Sequence, residues 1–422
     1  MSAKSSSLVA MILAALVVGP GAVGRAPAQD LGKFLEKAVR QELRQIAPAE
    51  PGRPRGQAPP RESAAPPEPY VIRTRDGWNL VALRYRPTAA PRPGAMPIIL
   101  CHGLTYSALF WDLDPSCSFP RYLAAMGFDV WAVNLRGSGP SQKWVWKLDA
   151  APESLIDSAM WKWTKGKLGS VSHASVDPKF ANWTLDDHIT HDVPAFVALV
   201  RRHTGAAEVA WVGHSMGGIV AIGHLARYKN PGIGRLATIG SQVTMPRGQL
   251  PQEFLREMLA LRQKQLAGQP VDRDLAAMSR RGVQDMFFNV ENVLPTVYEA
   301  LSGPATDVPA LGLMLQYRTL SHEGVLMDAA GRFNYAKGLG NITIPVFLSC
   351  GASDQFAPPE VQQFLHRNVG SADKTLMIFG RRQGMSVDAG HDDALVGRNS
   401  RQEVYPVLAR WLDAPVKTSA AR

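Results

Sequence analysis

The sequence predicts an α/β fold, a mainly parallel, doubly wound sheet with a helical cap inserted late in the chain. Three observations carry that expectation. Short apolar runs alternate with helix-like stretches along most of the 422 residues, the order that βα units and a parallel sheet produce. The apolar run 209–212 ends in Gly213-His214-Ser215-Met216-Gly217 and passes straight into a helical pattern. That is the strand–turn–helix setting in which a G-x-S-x-G serine stands on a tight turn above a parallel sheet. Glycines flank the serine because the turn crowds its neighbours and leaves no room for a Cβ. Finally, about a hundred residues separate the apolar runs 235–239 and 344–350, far more than one crossover requires.

Taken in order, the chain opens with Lys4, an apolar run over 8–18 and Ala26-Pro27-Ala28. The run is too short to span a bilayer comfortably, and a small-x-small site follows it. Residues 1–28 therefore read as a secretory signal peptide cut before Gln29, and the protein as exported, periplasmic or secreted. Leu31, Phe34, Leu35, Val39, Leu43 and Ile46 fall on one face of a helix. Such a helix docks on its own domain or lies on a membrane surface. Pro, Ala and charged residues dominate 48–69, so 29–69 reads as an amphipathic helix plus linker. The α/β domain occupies 70–415. Within it, an insert at about 138–183 carries Trp144, Trp146, Trp161, Trp163 and Trp183, suited either to a lipid–water boundary or to a core. The cap, about 246–340, is cut into short helices by prolines and glycines. Its apolar clusters Met286-Phe287-Phe288 and 311–317 are expected to shut water out and line an acyl pocket.

An active serine needs a histidine base, a carboxylate to orient that base and two N–H groups for the oxyanion, in chain order Ser, Asp, His. Ser215 is the candidate nucleophile. Asp354 follows the apolar run 344–350 as part of Gly351-Ala352-Ser353-Asp354, at the strand's C-terminal end, where ligands gather in open α/β sheets. A further strand is expected over 374–379. After it comes Gly390-His391-Asp392, just before a last helix over 401–412, and His391 is the candidate base. Asp388, Asp392 and Asp393 rival Asp354, but none follows a predicted strand. The strand 97–101 runs into His102-Gly103-Leu104, so the N–H of Leu104 pairs with that of Met216 as the candidate oxyanion hole. His102 supports that turn rather than acting as a second base. Asp187-His188-Ile189-Thr190-His191-Asp192 has metal-like spacing but no further cluster completes a ligand set. No metal or organic cofactor is called for.

From Tyr70 to Leu412 the chain resembles an α/β-hydrolase, and more narrowly the acid (gastric and lysosomal) lipase group and its bacterial relatives. The resemblance rests on Thr74-Arg75-Asp76-Gly77-Trp78, His102-Gly103-Leu104, Gly127-Phe128-Asp129-Val130-Trp131 and Asn134-Leu135-Arg136-Gly137. It continues in Asp192-Val193-Pro194, in the Ser215 motif and in the Asp354 and His391 positions. It implies a Ser–Asp–His lipase or carboxylesterase with a helical lid over an apolar acyl pocket. The long insert after Ser138, and Met216 where acid lipases more often carry glutamine, depart from the pattern.

Bulk properties agree. With 45% hydrophobic residues, the chain can bury one large core plus a cap. A net charge of +10 comes from dispersed basic residues without a nucleic-acid-binding module, which excludes nucleic acid as partner. A solvated basic surface, or one attracting anionic headgroups or acidic substrates, fits instead. Three cysteines make no disulfide framework; Cys101 and Cys350 fall in core strands, and Cys117 in a loop either pairs or stays free. Serine at the elbow argues against dehalogenases and epoxide hydrolases of this fold, which carry aspartate, and against polyester synthases, which carry cysteine. An acyltransferase using the same triad is the alternative to ester hydrolysis. A non-catalytic member that binds a lipid or protein partner would lack a triad residue, and none is missing.

Overall fold

The computed structural model describes residues 65–415, apart from 144–145, 151–171, 177–179, 230–231, 251, 268, 270, 272–286 and 304, and gives the backbone alone of 146–150, 172–176, 252 and 290. The expected leader, the amphipathic helix, nearly all of the linker, Met286 and the tryptophans Trp144, Trp161 and Trp163 lie outside the described residues, as does the side chain of Trp146.

Eight strands form the main sheet: β1 (Glu68–Arg73), β2 (Asn79–Tyr85), β3 (Ile98–Cys101), β4 (Val130–Asn134), β7 (Val209–His214), β8 (Ile233–Ile239), β9 (Val346–Gly351) and β10 (Lys374–Phe379). Their order across the sheet is β1-β2-β4-β3-β7-β8-β9-β10. β2 alone runs against the direction of the other strands, pairing antiparallel with β1 and β4; the pairs from β4 to β10 are all parallel. β5 (Trp146–Ala150) and β6 (Ser172–Val176) pair separately as an antiparallel ribbon within the insert.

Burial explains why these segments read as unbroken apolar runs. Every residue of β3, β4, β7, β8 and β9 is buried, as expected for parallel strands covered on both faces. β10, at the edge, is only half-buried over most of its length. Helices cover the faces: α1 (Phe119–Ala125), α2 (Val193–Thr204), α3 (Met216–Arg227), α7 (Pro359–Asn368) and α8 (Tyr405–Asp413). α2 starts with Pro194 in its first turn and stops at Gly205, whose φ of 73° closes it in the left-handed conformation. The expected single helix over 401–412 is instead a short turn, Ser400–Glu403, followed by α8. Pro406 accounts for the restart, because it lacks the N–H that a continuous helix would use.

Between β8 and β9 the described residues form α4 (Gln252–Leu266), α5 (Pro295–Leu301) and α6 (Leu311–Glu323). This segment is tied to the loop after β3: Tyr106 and Thr306 form an antiparallel bridge, and Ser107 N–H donates to the Ala305 carbonyl at 3.0 Å. Beneath the sheet's C-terminal edge a buried ion network joins three elements. The Arg136 guanidinium lies over the Trp78 ring and donates to Asp192 at 2.7 and 2.9 Å and to Asp76 at 2.7 Å. Burial alone would raise the Asp192 carboxyl, but Arg136 and His188 bring it down to about 2.

Trp183 of the insert belongs to the core. It is 3% exposed, edge-on to Trp78 at 5.2 Å, with the Arg262 guanidinium 5.0 Å over its ring. That placement overturns lipid contact for this residue. All three cysteines are free and buried, so Cys117 stays unpaired. Among the described residues no helix is long and apolar enough to cross a membrane.

Candidate active site

Ser215 sits between β7 and α3 with φ 50° and ψ −120°, a backbone conformation that costs a side-chain-bearing residue of order 1–3 kcal/mol. Surrounding bonds hold it there. Ser215 N–H donates to the Ile239 carbonyl at 2.8 Å, and Ser241 Oγ donates to the Ser215 carbonyl at 2.8 Å. Trp211 Nε1 donates to the Gly217 carbonyl at 2.9 Å. A Cβ on Gly217 would run into the Cys101 and His102 backbone, and one on Gly213 into Gly217 and Gly218. Glycine is therefore what lets the elbow press against β3.

The parallel register brings the other candidates to the same edge. Asp354 follows β9, and His391 lies in the loop after β10. His391 Nδ1 is 2.9 Å from Asp354 Oδ2 and 3.1 Å from Oδ1. Asp354 Oδ1 also accepts from the N–H groups of Phe356 at 2.9 Å and Ala357 at 2.7 Å, which fixes the carboxylate's rotation. Those contacts leave Nδ1–H pointing at Asp354, and Nε2 without a hydrogen-bond partner among the described residues. Ser215 and His391 line one cavity. Burial alone would make the imidazole less basic; the Asp354 charge and hydrogen bond, with Asp392 and Asp393 beyond, outweigh it and raise its pKa above 6.5.

Of the rival carboxylates, Asp388 accepts from Arg381 N–H at 2.9 Å, and Asp393 accepts from Asn292 Nδ2 at 2.6 Å and Gly390 N–H at 2.8 Å. Asp393 thus braces the histidine loop rather than the ring. His102 donates from Nδ1 to the Gly103 carbonyl at 2.8 Å and accepts at Nε2 from Leu135 N–H at 3.2 Å. Burial holds its pKa down at about 4, so it is a neutral brace for the turn that presents Leu104. Thr105, next in that turn, has φ 63°. Leu104 lines the cavity, and α3, which begins at Met216, directs the positive end of its dipole toward Ser215. His188 Nδ1 is spent on Asp192 at 2.7 Å, whereas the fold brings Asp76 to Asp187 and His191, with one ligating atom of each within 4.8 Å of the others; of these, Asp187 already accepts from Thr184 N–H at 2.7 Å and Asp76 from Arg136 at 2.7 Å.

The cavity is lined by Leu104, Phe254, Met258, Phe287, Phe288, Leu301 and Phe356 around the polar group of Ser215, His391, His214, Tyr106 and Asp392. Phe287 and Phe288 were expected there. The other expected cluster, 311–317, is not part of the lining: on α6, Leu313, Met314 and Tyr317 are buried in the core while Leu311 and Leu315 are exposed. Sequence reading also missed the partnership of Tyr106, His214 and Asp392. Tyr106 Oη donates to Asp392 Oδ2 at 2.6 Å across 286 positions of chain, a separation that no local spacing signals. Burial raises the Asp392 carboxyl to about 7 against the opposing pull of His391 and Tyr106.

Comparison with known proteins places this site in context. Residues 96–397 match the alpha/beta hydrolase fold family. Gastric triacylglycerol lipase of Mus musculus is 29% identical over 174 residues, 40% of this chain and 37% of that protein. Tear acid lipase-like protein of Mesocricetus auratus is 30% identical over 167 residues, 37% of this chain and 34% of its own length. The matched stretch thus spans about a third of these curated relatives. Among solved structures, a thermophilic esterase from Thermogutta terrifontis superposes with a TM-score of 0.50 at 16% identity, covering 82% of this chain and 97% of that one. A membrane phospholipase A described as a bacterial virulence factor gives 0.50 at 16% identity, covering 97% and 98%. At such identities the two structures speak for the fold alone.

Proposed function

We infer that this chain, which belongs to the alpha/beta hydrolase fold family, is a serine hydrolase that cleaves carboxylic esters, lipid-like ones by preference. The single observation that carries the reading is the arrangement Asp354–His391 with an unpartnered Nε2 in the same cavity as a serine held at positive φ. Ser215 Oγ attacks the ester carbonyl while His391 Nε2 takes its proton. Asp354 keeps the other ring nitrogen protonated and favours the imidazolium. The N–H groups of Leu104 and Met216 receive the oxyanion; two preorganised donors of this kind are worth about 3 kcal/mol each. His391 then protonates the departing alcohol, and a water activated by the same nitrogen clears the acyl-enzyme.

The apolar, aromatic lining supports an acyl chain as the group bound, as do the lipase names among the relatives. Export behind a leader over 1–28, and contact with a lipid surface, belong to the same proposal. The test is active-site labelling with a fluorophosphonate followed by peptide mass spectrometry. Modification on Ser215 that abolishes ester turnover supports the reading; labelling elsewhere, or turnover unaffected by it, refutes it.

A further inference from the structure

Next to His391 lies a buried polar cluster that the two-step chemistry does not use. Asp392 is fully buried, yet its Oδ1 makes no hydrogen bond among the described residues and stands 3.3 Å from His214 Nε2. Its Oδ2 receives the Tyr106 hydroxyl, and its N–H donates to the Phe287 carbonyl at 2.7 Å. His214 Nε2 also reaches the His391 carbonyl at 3.2 Å. Rings stack through the same region: Tyr106 on Phe110 at 5.0 Å, Phe110 on His214 at 4.5 Å, and His214 beside His391 at 4.9 Å. One ligating atom each of His214, His391 and Asp392 lies within 4.8 Å of the others.

Three loops meet at this carboxyl. Tyr106 comes from the loop after β3 that carries Leu104, His214 from the last position of β7 beside Ser215, and Asp392 from the loop that carries His391. We propose that Asp392 is a positioning residue for the acyl-transfer step: it clamps these three loops together and, when ionised, adds a second negative charge beside the His391 imidazole. The proposal rests on the serine-hydrolase reading above. The groups that face Asp392 are His391 and Asp393 on its own loop, Tyr106, His214, and Asp354 from the loop after β9. Burial disfavours the charged carboxylate, while Tyr106 and His391 favour it. An ionised Asp392 in turn makes His391 more basic.

Removing the charge makes His391 less basic, so its titration moves to lower pH, by about one unit for an opposite charge at this range. The His391 ring proton is followed by NMR against pH in the wild type, Asp392→Asn and Tyr106→Phe, with His391→Gln to identify the resonance. kcat/KM on p-nitrophenyl butyrate is measured alongside, with Ser215→Ala as blank. The expected result is a His391 midpoint about one unit lower in Asp392→Asn, a smaller shift the same way in Tyr106→Phe, and kcat reduced about tenfold at pH 8 with KM little changed. An unmoved midpoint in both variants overturns the proposal. So does an unchanged kcat. If Asp392→Asn fails to fold, Tyr106→Phe decides the matter by the same two readouts. Should wild type and Ser215→Ala hydrolyse the ester equally, the functional reading fails, while the NMR midpoint still judges the charge of Asp392 separately.

Discussion

Replacing Asp354 with asparagine tests how this site prepares its base. The two carboxylate oxygens do different work. Oδ1 accepts from two backbone N–H groups, at 2.9 and 2.7 Å, whereas Oδ2 faces His391 Nδ1 at 2.9 Å. An asparagine must keep its carbonyl oxygen at the Oδ1 position, because an NH2 there would face two donors. The NH2 then falls opposite Nδ1 and donates to it. The ring proton moves to Nε2, and the atom that should take the serine proton no longer can. An enzyme with its histidine in the wrong tautomer loses about four decades in kcat, equivalent to ~5 kcal/mol at 1.36 kcal/mol per decade. Stability should hardly change, since both backbone donors keep their acceptor. The assay is kcat on p-nitrophenyl butyrate with a thermal melt beside it. A kcat within tenfold of wild type refutes the tautomer argument, and a comparable loss in Asp388→Asn instead would move the orienting role to that residue.

Three further expectations concern charge. Arg136→Ala removes the guanidinium from the fully buried Asp192, leaving it His188 and the backbone N–H of residue 136, and should destabilise by about 3–5 kcal/mol in urea unfolding; a change below 1 kcal/mol would contradict the network's role. In the folded protein the Asp192 carboxyl lies at about 2 against an ordinary 3.8, so its stabilisation is full above pH ~4 and is lost as pH falls toward ~2. Roughly 2 kcal/mol should disappear across that window at 1.36 kcal/mol per unit, and much less in an Asp192→Asn variant. Because His391 must be neutral to act as base and its pKa is raised above 6.5, kcat/KM should fall on acidification with a midpoint above that value. A midpoint below 6 would show that Asp354 does not stabilise the imidazolium.

How much of this was legible beforehand follows from range. The elbow is local, since Gly213, Ser215 and Gly217 sit within five residues of chain and their steric logic is self-contained. The strand order needs only the βα alternation, and Asp354 and His391 are found because each lies in a loop leaving the same edge of the sheet. Boundaries failed where one atom decides: Pro406 restarts the last helix, and Pro345 pushes β9 to begin at Val346. The misreading of 311–317 has a different cause. Its apolar residues serve α6's own packing in the cap, and apolar character alone cannot say which cavity a helix faces. Tyr106, His214 and Asp392 were out of reach, because their association exists only once three distant loops converge.

Hydrolysis of p-nitrophenyl esters across acyl chains from short to long, wild type beside Ser215→Ala, tests the central claim most directly. The account expects turnover that rises with chain length as the aromatic pocket fills, and a variant that folds but shows no activity. Equal turnover by both proteins would contradict it.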